Sequence, residues 1–169
     1  MSKSKIVGIM ALIVFAMGVV FVGDAVAAER GKVAERYVFY TTLFNTLKIP
    51  DVEGHTSWQL ESKAIVSNEK WGTALVYQVF TMDLIKGAGP LQGYWHTTFS
   101  DGSTITTKFE GISTGSGAGT TGVGTVGGTW TYTKGTGKFQ GIQGRGTFKS
   151  YVLGPGQYYS DSEGEYTLP

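Results

Sequence analysis

Beyond position 28, hydrophobic residues fall in short runs with a period of two, separated by Gly, Pro, Asn and Asp, and no helical period is sustained there. Tyr37-Val38-Phe39-Tyr40-Thr41-Thr42-Leu43-Phe44 is aromatic and β-branched, as strands are, and Ile49-Pro50-Asp51 ends it. From His55 to Val66, one parity carries Trp58, Leu60, Ala64 and Val66, and the other carries Gln59, Glu61 and Lys63. That alternation predicts one buried and one wetted face. Ala74 to Lys86 is apolar on both parities, with Val76, Phe80, Met82 and Leu84 on one and Leu75, Tyr77, Val79 and Ile85 on the other. A strand of this kind is covered on both sides. In a barrel, one cover is the interior and the other is a subunit interface or a flanking segment.

Further strands are predicted at Leu91 to Phe99, Ser103 to Phe109, Thr129 to Thr133, Gly146 to Leu153 and Glu163 to Leu168, and Asp101-Gly102 suits a hairpin turn between the first two. Gly31 to Arg36 reads as a short helical turn ahead of the first strand. Seven or eight short strands with turn signals between them make a sandwich or an antiparallel barrel. Glycine inside and at the ends of the strands favours the barrel, because glycine lets a strand bend where a sheet closes. The expected fold is therefore all-β, a small antiparallel closed barrel of about eight strands. The small-residue run Gly115 to Gly122 reads as a flexible hairpin loop.

The N-terminus has a different pattern. Lys3 and Lys5 precede an apolar run from Ile6 to Gly23, followed by the small-x-small Ala25-Val26-Ala27 and the polar Ala28-Glu29-Arg30. This is the order of a cleavable signal peptide, so the chain divides into a signal at residues 1–27 and one domain at 28–169, exported to the periplasm or the exterior with no stable membrane insertion after cleavage. Cleavage takes Lys3, Lys5 and Asp24 from a total of fourteen basic and thirteen acidic residues and leaves a formally neutral domain. A neutral surface argues against nucleic acid as a partner. The chain has no Cys, which removes disulfides, thiolate metal sites and Cys nucleophiles together.

The distinctive sequence is the last third. A Trp-bearing strand, Gly128-Thr129-Trp130-Thr131-Tyr132, runs into Gly135-Thr136-Gly137-Lys138-Phe139-Gln140-Gly141 and then into Gly144-Arg145-Gly146-Thr147-Phe148. With the Asp101-Gly102 hairpin, Phe109-Glu110-Gly111 and the closing Glu163-Gly164-Glu165-Tyr166, the region from Leu91 to the C-terminus resembles bacterial relatives of the allene oxide cyclase-like and dirigent β-barrels. The glycines permit a tight turn, from which Phe139 and Ile142 drop back as plugs against the barrel end. The resemblance implies a barrel that often trimerises, and an activity ranging from cofactor-free cyclisation through directed radical coupling to none known; fold alone does not choose among them.

Candidate chemistry is sparse. Gly135-x-Gly137-x-x-x-Gly141 lacks the spacing and the strand-then-helix setting of a dinucleotide loop, and Phe139 stands where a phosphate loop needs Ser or Thr. His55 and His96 are the two histidines and stand far apart, so no metal site is expected. Tyr94-Trp95-His96 is the notable triplet. If Tyr94 and His96 face the bore, they make a ligand wall with Trp58 and Trp130, and His96 is the candidate acid or base. If they face out, they are surface residues. Glu61 is a second candidate acid if its parity faces inward.

Three readings follow: an exported barrel binding a small apolar or aromatic molecule without a cofactor, a cofactor-free cyclase or isomerase, and a structural envelope protein with a filled core. Two-sided hydrophobicity at Ala74 to Lys86 adds homo-oligomerisation to each. A membrane-spanning barrel is disfavoured, since that strand lacks the apolar-out, polar-in alternation of such proteins. The exported protein is expected to begin near Ala28, which intact-mass measurement checks; a retained Met1 contradicts it.

Overall fold

The structure, a computed structural model, describes residues 28–114 and 125–169. The expected signal peptide at residues 1–27 and the expected hairpin loop from Gly115 to Gly122 lie outside the described residues. The elements are β1 (Glu29–Lys48), β2 (His55–Asn68), β3 (Gly72–Ile85), β4 (Ala88–Phe99), β5 (Thr104–Thr114), β6 (Thr125–Gly135), β7 (Gln143–Gly154) and β8 (Gln157–Leu168), with a single 3₁₀ turn at Gly137–Phe139. Each strand pairs antiparallel with the next, and β8 returns to β1, from Glu29 opposite Leu168 to Tyr40 opposite Gln157. The sheet is a closed barrel, as expected. The segment from Gly31 to Arg36 is not a helical turn but the start of β1. Lys32 and Arg36 face water while Val33, Tyr37 and Phe39 face the bore, so pairing with β8 overrides the local polarity.

One end of the barrel gathers the start of β1, the end of β8 and the β2–β3, β4–β5 and β6–β7 turns. This end is closed by the 3₁₀ turn, where Phe139 and Ile142 are buried and the Phe139 ring lies 4.6 Å from that of Phe99 and 5.3 Å from that of Trp71. In the β4–β5 turn only Gly102 takes a left-handed conformation, at φ 80°, and its N–H donates to the Phe99 carbonyl. At the opposite, distal end lie the β1–β2, β3–β4 and β7–β8 turns. A bulge between Thr41 and Leu43 shifts the inward parity of β1, so that Phe39 faces the bore on one side of it and Phe44 meets Trp58 edge-on at 5.0 Å on the other.

The bore is filled with rings. Trp95 stacks on Phe109 at 4.9 Å and touches Phe148 at 5.7 Å and Tyr37 at 5.6 Å; Phe39 stacks on Tyr158 at 5.1 Å. An eight-stranded barrel has room for these rings only where neighbouring strands present no side chain. Those gaps are inward-facing glycines paired directly across the sheet with aromatics: Gly146 opposite Trp130, Gly93 opposite Phe109, Gly31 opposite Tyr166. A Cβ at Gly146 would lie 2.5 Å from the Trp130 ring and 2.1 Å from the Glu163 carbonyl oxygen, and one at Gly164 would lie 2.5 Å from the same ring.

Replacing glycine by alanine within a strand ordinarily stabilises by about 0.4–1 kcal/mol through the unfolded chain. Here Gly146→Ala is expected to destabilise by roughly 1–3 kcal/mol, the usual range for overpacking. Gly127→Ala, whose nearest neighbour is 3.7 Å away, should be neutral or stabilising. Urea denaturation of both variants checks the pair.

Candidate functional site

Strand alternation decides where the candidate residues go. On β4, Leu91, Gly93, Trp95 and Phe99 face the bore, so Tyr94 and His96 point outward with Gln92 and Thr98. Tyr94 is 48 % exposed, and His96 Nδ1 lies 3.2 Å from the Thr106 hydroxyl on the outer surface. The expected wall of Tyr94, His96, Trp58 and Trp130 is therefore not assembled. Trp58 and Trp130 face inward, Trp58 against Phe44 at the distal end and Trp130 at 2 % exposure, its indole N–H donating to the Thr147 carbonyl at 3.1 Å. Glu61 lies on the outer parity of β2, where its hydrogen bond raises the pKa of the exposed Tyr77 phenol. The bulky, apolar Leu91, Trp95 and Phe99 set against Gln92 and Thr98 were the available sign that Tyr94 and His96 face out.

A carboxylate that does enter the barrel is that of Glu35. It lies on β1 between Val33 and Tyr37, on the inward parity near the closed end. Each carboxylate oxygen has a donor: the Tyr37 hydroxyl donates to Oε2, and the Asn68 amide donates to Oε1 at 2.9 Å. Burial, and then the charge of Glu35, push the Tyr37 phenol well above its ordinary pKa, and burial does the same to Tyr132. Both phenols thus stay neutral, and that of Tyr37 donates to Glu35. Beside them is an interior cavity of about 20 Å³ whose lining includes Glu35, Tyr37, Trp71, Trp95, Trp130 and Tyr132. That volume suits one water molecule. The indole N–H of Trp95, a buried residue on this wall, has no hydrogen-bond partner among the described residues.

The roof of this cavity is carried on a turn. Trp71 follows β2, and the Asn68 side-chain oxygen accepts the backbone N–H of Lys70 at 2.8 Å and of Trp71 at 3.0 Å. Asn68 therefore holds Glu35 with its amide nitrogen and the Trp71 turn with its oxygen. The Trp71 ring meets Phe139 and Tyr166 edge-on, and its carbonyl accepts from Lys138 Nζ at 3.1 Å. On the outside of the barrel, a broad depression of about 900 Å³ runs across β2 to β6 past Ser57, Asp83, Gln92, Glu110 and Ile112, open to solvent and without an aromatic wall.

Among solved structures, the chain is similar to a pterocarpan synthase dirigent protein, GePTS1, with a TM-score of 0.52 and 13 % sequence identity, over 83 % of this chain and 91 % of that one. The fold is that of a dirigent-like barrel. No family model matches the chain, and no curated protein does. At this identity the likeness shows the fold of the dirigent-like barrel and carries no residue roles across.

Within this dirigent-like barrel, His55 has a structural task at the distal end. Its Nδ1 lies 2.6 Å from Asp51 and its Nε2 2.5 Å from Asp83, tying the β1–β2 loop to β3. Both ring nitrogens can donate only in the imidazolium. Hydrogen bonds to Asp83 and then Asp51 raise the pKa of His55 above 6.5, and the bond from His55 lowers that of Asp51 below 3.8. A raised folded-state pKa gives stability that is fully present below 6.5 and lost as pH rises through the folded value; a lowered one gives stability lost as pH falls through it. The stabilisation of the parent protein over His55→Gln should therefore be largest at weakly acidic pH and shrink toward alkaline pH, as thermal melts across that range will read. A difference independent of pH contradicts the clamp.

Proposed function

We propose that the exported barrel binds a small aromatic molecule carrying a hydrogen-bonding group, at its closed end. The observation behind this reading is Glu35: a carboxylate held at both oxygens inside a bore of aromatic rings, next to an indole N–H with no partner. Burying a carboxylate among rings costs several kcal/mol unless it is paired. Glu35 is paired by neutral donors, which leaves its charge available to a ligand's O–H or N–H. The rings of Trp71, Trp95 and Trp130 offer flat apolar surface for the rest of the molecule. The cavity as it stands holds only a water, so a ring enters where Trp71, carried on a turn, swings aside.

Titration with phenol, followed by tryptophan fluorescence, tests this. Saturable quenching is expected, with Glu35→Gln weakening affinity by roughly tenfold or more, the value of a hydrogen bond to a charged group. Quenching that never saturates, or that Glu35→Gln leaves unchanged, overturns the reading.

A second reading rests on a different observation. The outer faces of β2 to β4 carry Ile65, Leu75 and Tyr94, with exposures of 72 %, 51 % and 48 %, and Leu75 pairs across the sheet with Ile65. A filled barrel with such a face suits a self-associating structural protein. On this reading Leu75→Asp lowers the sedimentation coefficient at high protein concentration and leaves the fold intact, whereas a parent protein that is already monomeric contradicts it.

A further inference from the structure

Closing a barrel removes sheet edges, yet β1 outruns the closure. Its pairing with β8 ends at Tyr40 opposite Gln157, followed by a last bond from the Thr41 N–H to the Gly156 carbonyl at 2.8 Å. Its pairing with β2 continues to Lys48 opposite Thr56. The segment from Thr42 to Lys48 thus has β2 on one side and, among the described residues, no strand on the other. An open edge of this kind is a template for another strand unless charge, proline or a covering segment blunts it. This one carries no Pro and no acidic residue, its single charge is the terminal Lys48, and Leu43, Phe44 and Leu47 are 37 %, 51 % and 64 % exposed.

The hydrogen-bond phase shows which groups are free. The Ile49 N–H donates to the His55 carbonyl across the hairpin, so by the two-residue alternation of an antiparallel ladder Leu47 and Asn45 also bond toward β2. Phe44 and Thr46 then direct their N–H and C=O groups to the open side. Leu43 and Leu47 stand at equal distances on either side of Asn45. Set antiparallel against itself with Asn45 at the centre, this edge places Phe44 opposite the partner's Thr46 as a hydrogen-bonded pair, twice by symmetry. The same register sets Leu43 beside the partner's Leu47 on the outer face, also twice, and brings no like charges together. Self-complementarity of this sort is what a two-fold interface demands.

We propose that the protein dimerises by antiparallel pairing of the Thr42–Lys48 edge of β1 with the same edge of a second copy, joining two barrels through a continuous sheet at their distal ends. This interface is separate from the apolar face of β2 to β4 and from the Glu35 site.

The chain has no cysteine, so an introduced one reports on itself alone. Asn45→Cys places two thiols directly opposite each other in a non-hydrogen-bonded pair, the spacing a disulfide accepts. Under mild oxidation it is expected to give a covalent dimer, whereas Leu75→Cys, on the β2–β4 face, should remain largely uncrosslinked. Thr46→Pro removes an N–H directed to the open side and none used by β2; in the Asn45→Cys background it should abolish the crosslink. In sedimentation equilibrium without the cysteine, it should raise the dimer dissociation constant by about tenfold or more, since two hydrogen bonds are lost by symmetry. Leu47→Lys, an exposed change that leaves the backbone untouched, should weaken the dimer in the same assay even if the proline variant fails to fold. An Asn45→Cys protein that stays monomeric, crosslinking through Leu75→Cys alone, or a dimer indifferent to Leu47→Lys overturns the proposal.

Discussion

The structure depends on the fit between aromatic rings and the glycines beside them. Eight strands enclose a bore that side chains must fill, and ordinary alternation would crowd it if every inward position were large. Here Trp130 lies over Gly146 and Gly164, Phe109 reaches toward Gly93, Tyr132 covers Gly144 and Tyr166 covers Gly31. Each ring takes the volume that a missing Cβ leaves, and each glycine has its backbone covered by a ring. Closure, curvature and core packing thus come from the same pairs. The consequence for function is a bore with almost no free volume, so that a ligand site can exist only where a polar group interrupts the rings.

Glu35 is one such interruption and carries a charge; the buried Gln78, which accepts from the Tyr158 hydroxyl, is another. The neighbours of Glu35 on the same face of β1 are Val33, Tyr37 and Phe39, and its oxygens are taken by Tyr37 and by Asn68 from the end of β2. Asn68 also secures the turn that carries Trp71, so the carboxylate and the lid of its cavity share one side chain. Ligand binding there would disturb the turn and the carboxylate together. At the other end, His55 between Asp51 and Asp83 holds the β1–β2 loop against β3, which keeps the projecting edge of β1 in place.

Much of this barrel was legible in the sequence. The alternation in β2, the two apolar faces of β3, the Asp101-Gly102 turn and the plugging role of Phe139 and Ile142 follow from residue type and spacing. The two apolar faces of β3 were expected to be covered on both sides; in the structure the outer parity is open, with Leu75 and Ile85 half-exposed to solvent. The site was less legible. Tyr94 and His96 drew attention as chemistry-bearing neighbours, but the bulky apolar residues four positions to either side, Leu91 and Phe99, had already claimed the interior for Trp95. Glu35 was hidden because Lys32, Glu35 and Arg36 read together as a polar turn, although Val33, Tyr37 and Phe39 share the parity of Glu35. The bonds of His55 to Asp83 and of Asn68 to Glu35 span 28 and 33 residues. Pairing of β1 with β2 and of β2 with β3 brings such partners together, in a register that one strand's own sequence does not contain. The glycines of the last third were read as bends, and their role as recesses for rings depends on cross-strand register that one strand's sequence does not contain.

The ring-and-recess account is tested most directly at Gly31 and Tyr166. The three atoms nearest a Cβ on Gly31 would all belong to the Tyr166 side chain, at 2.6–2.8 Å, and that side chain is held by Glu29, Lys70 and Trp71. A double-mutant cycle on unfolding free energy measures whether the two positions are coupled. Gly31→Ala should destabilise the parent protein, and in a Tyr166→Leu background it should become neutral or stabilising by about 0.4–1 kcal/mol, as alanine is where nothing obstructs it. The same cost in both backgrounds would mean that the glycines serve the backbone alone, and the account would be wrong.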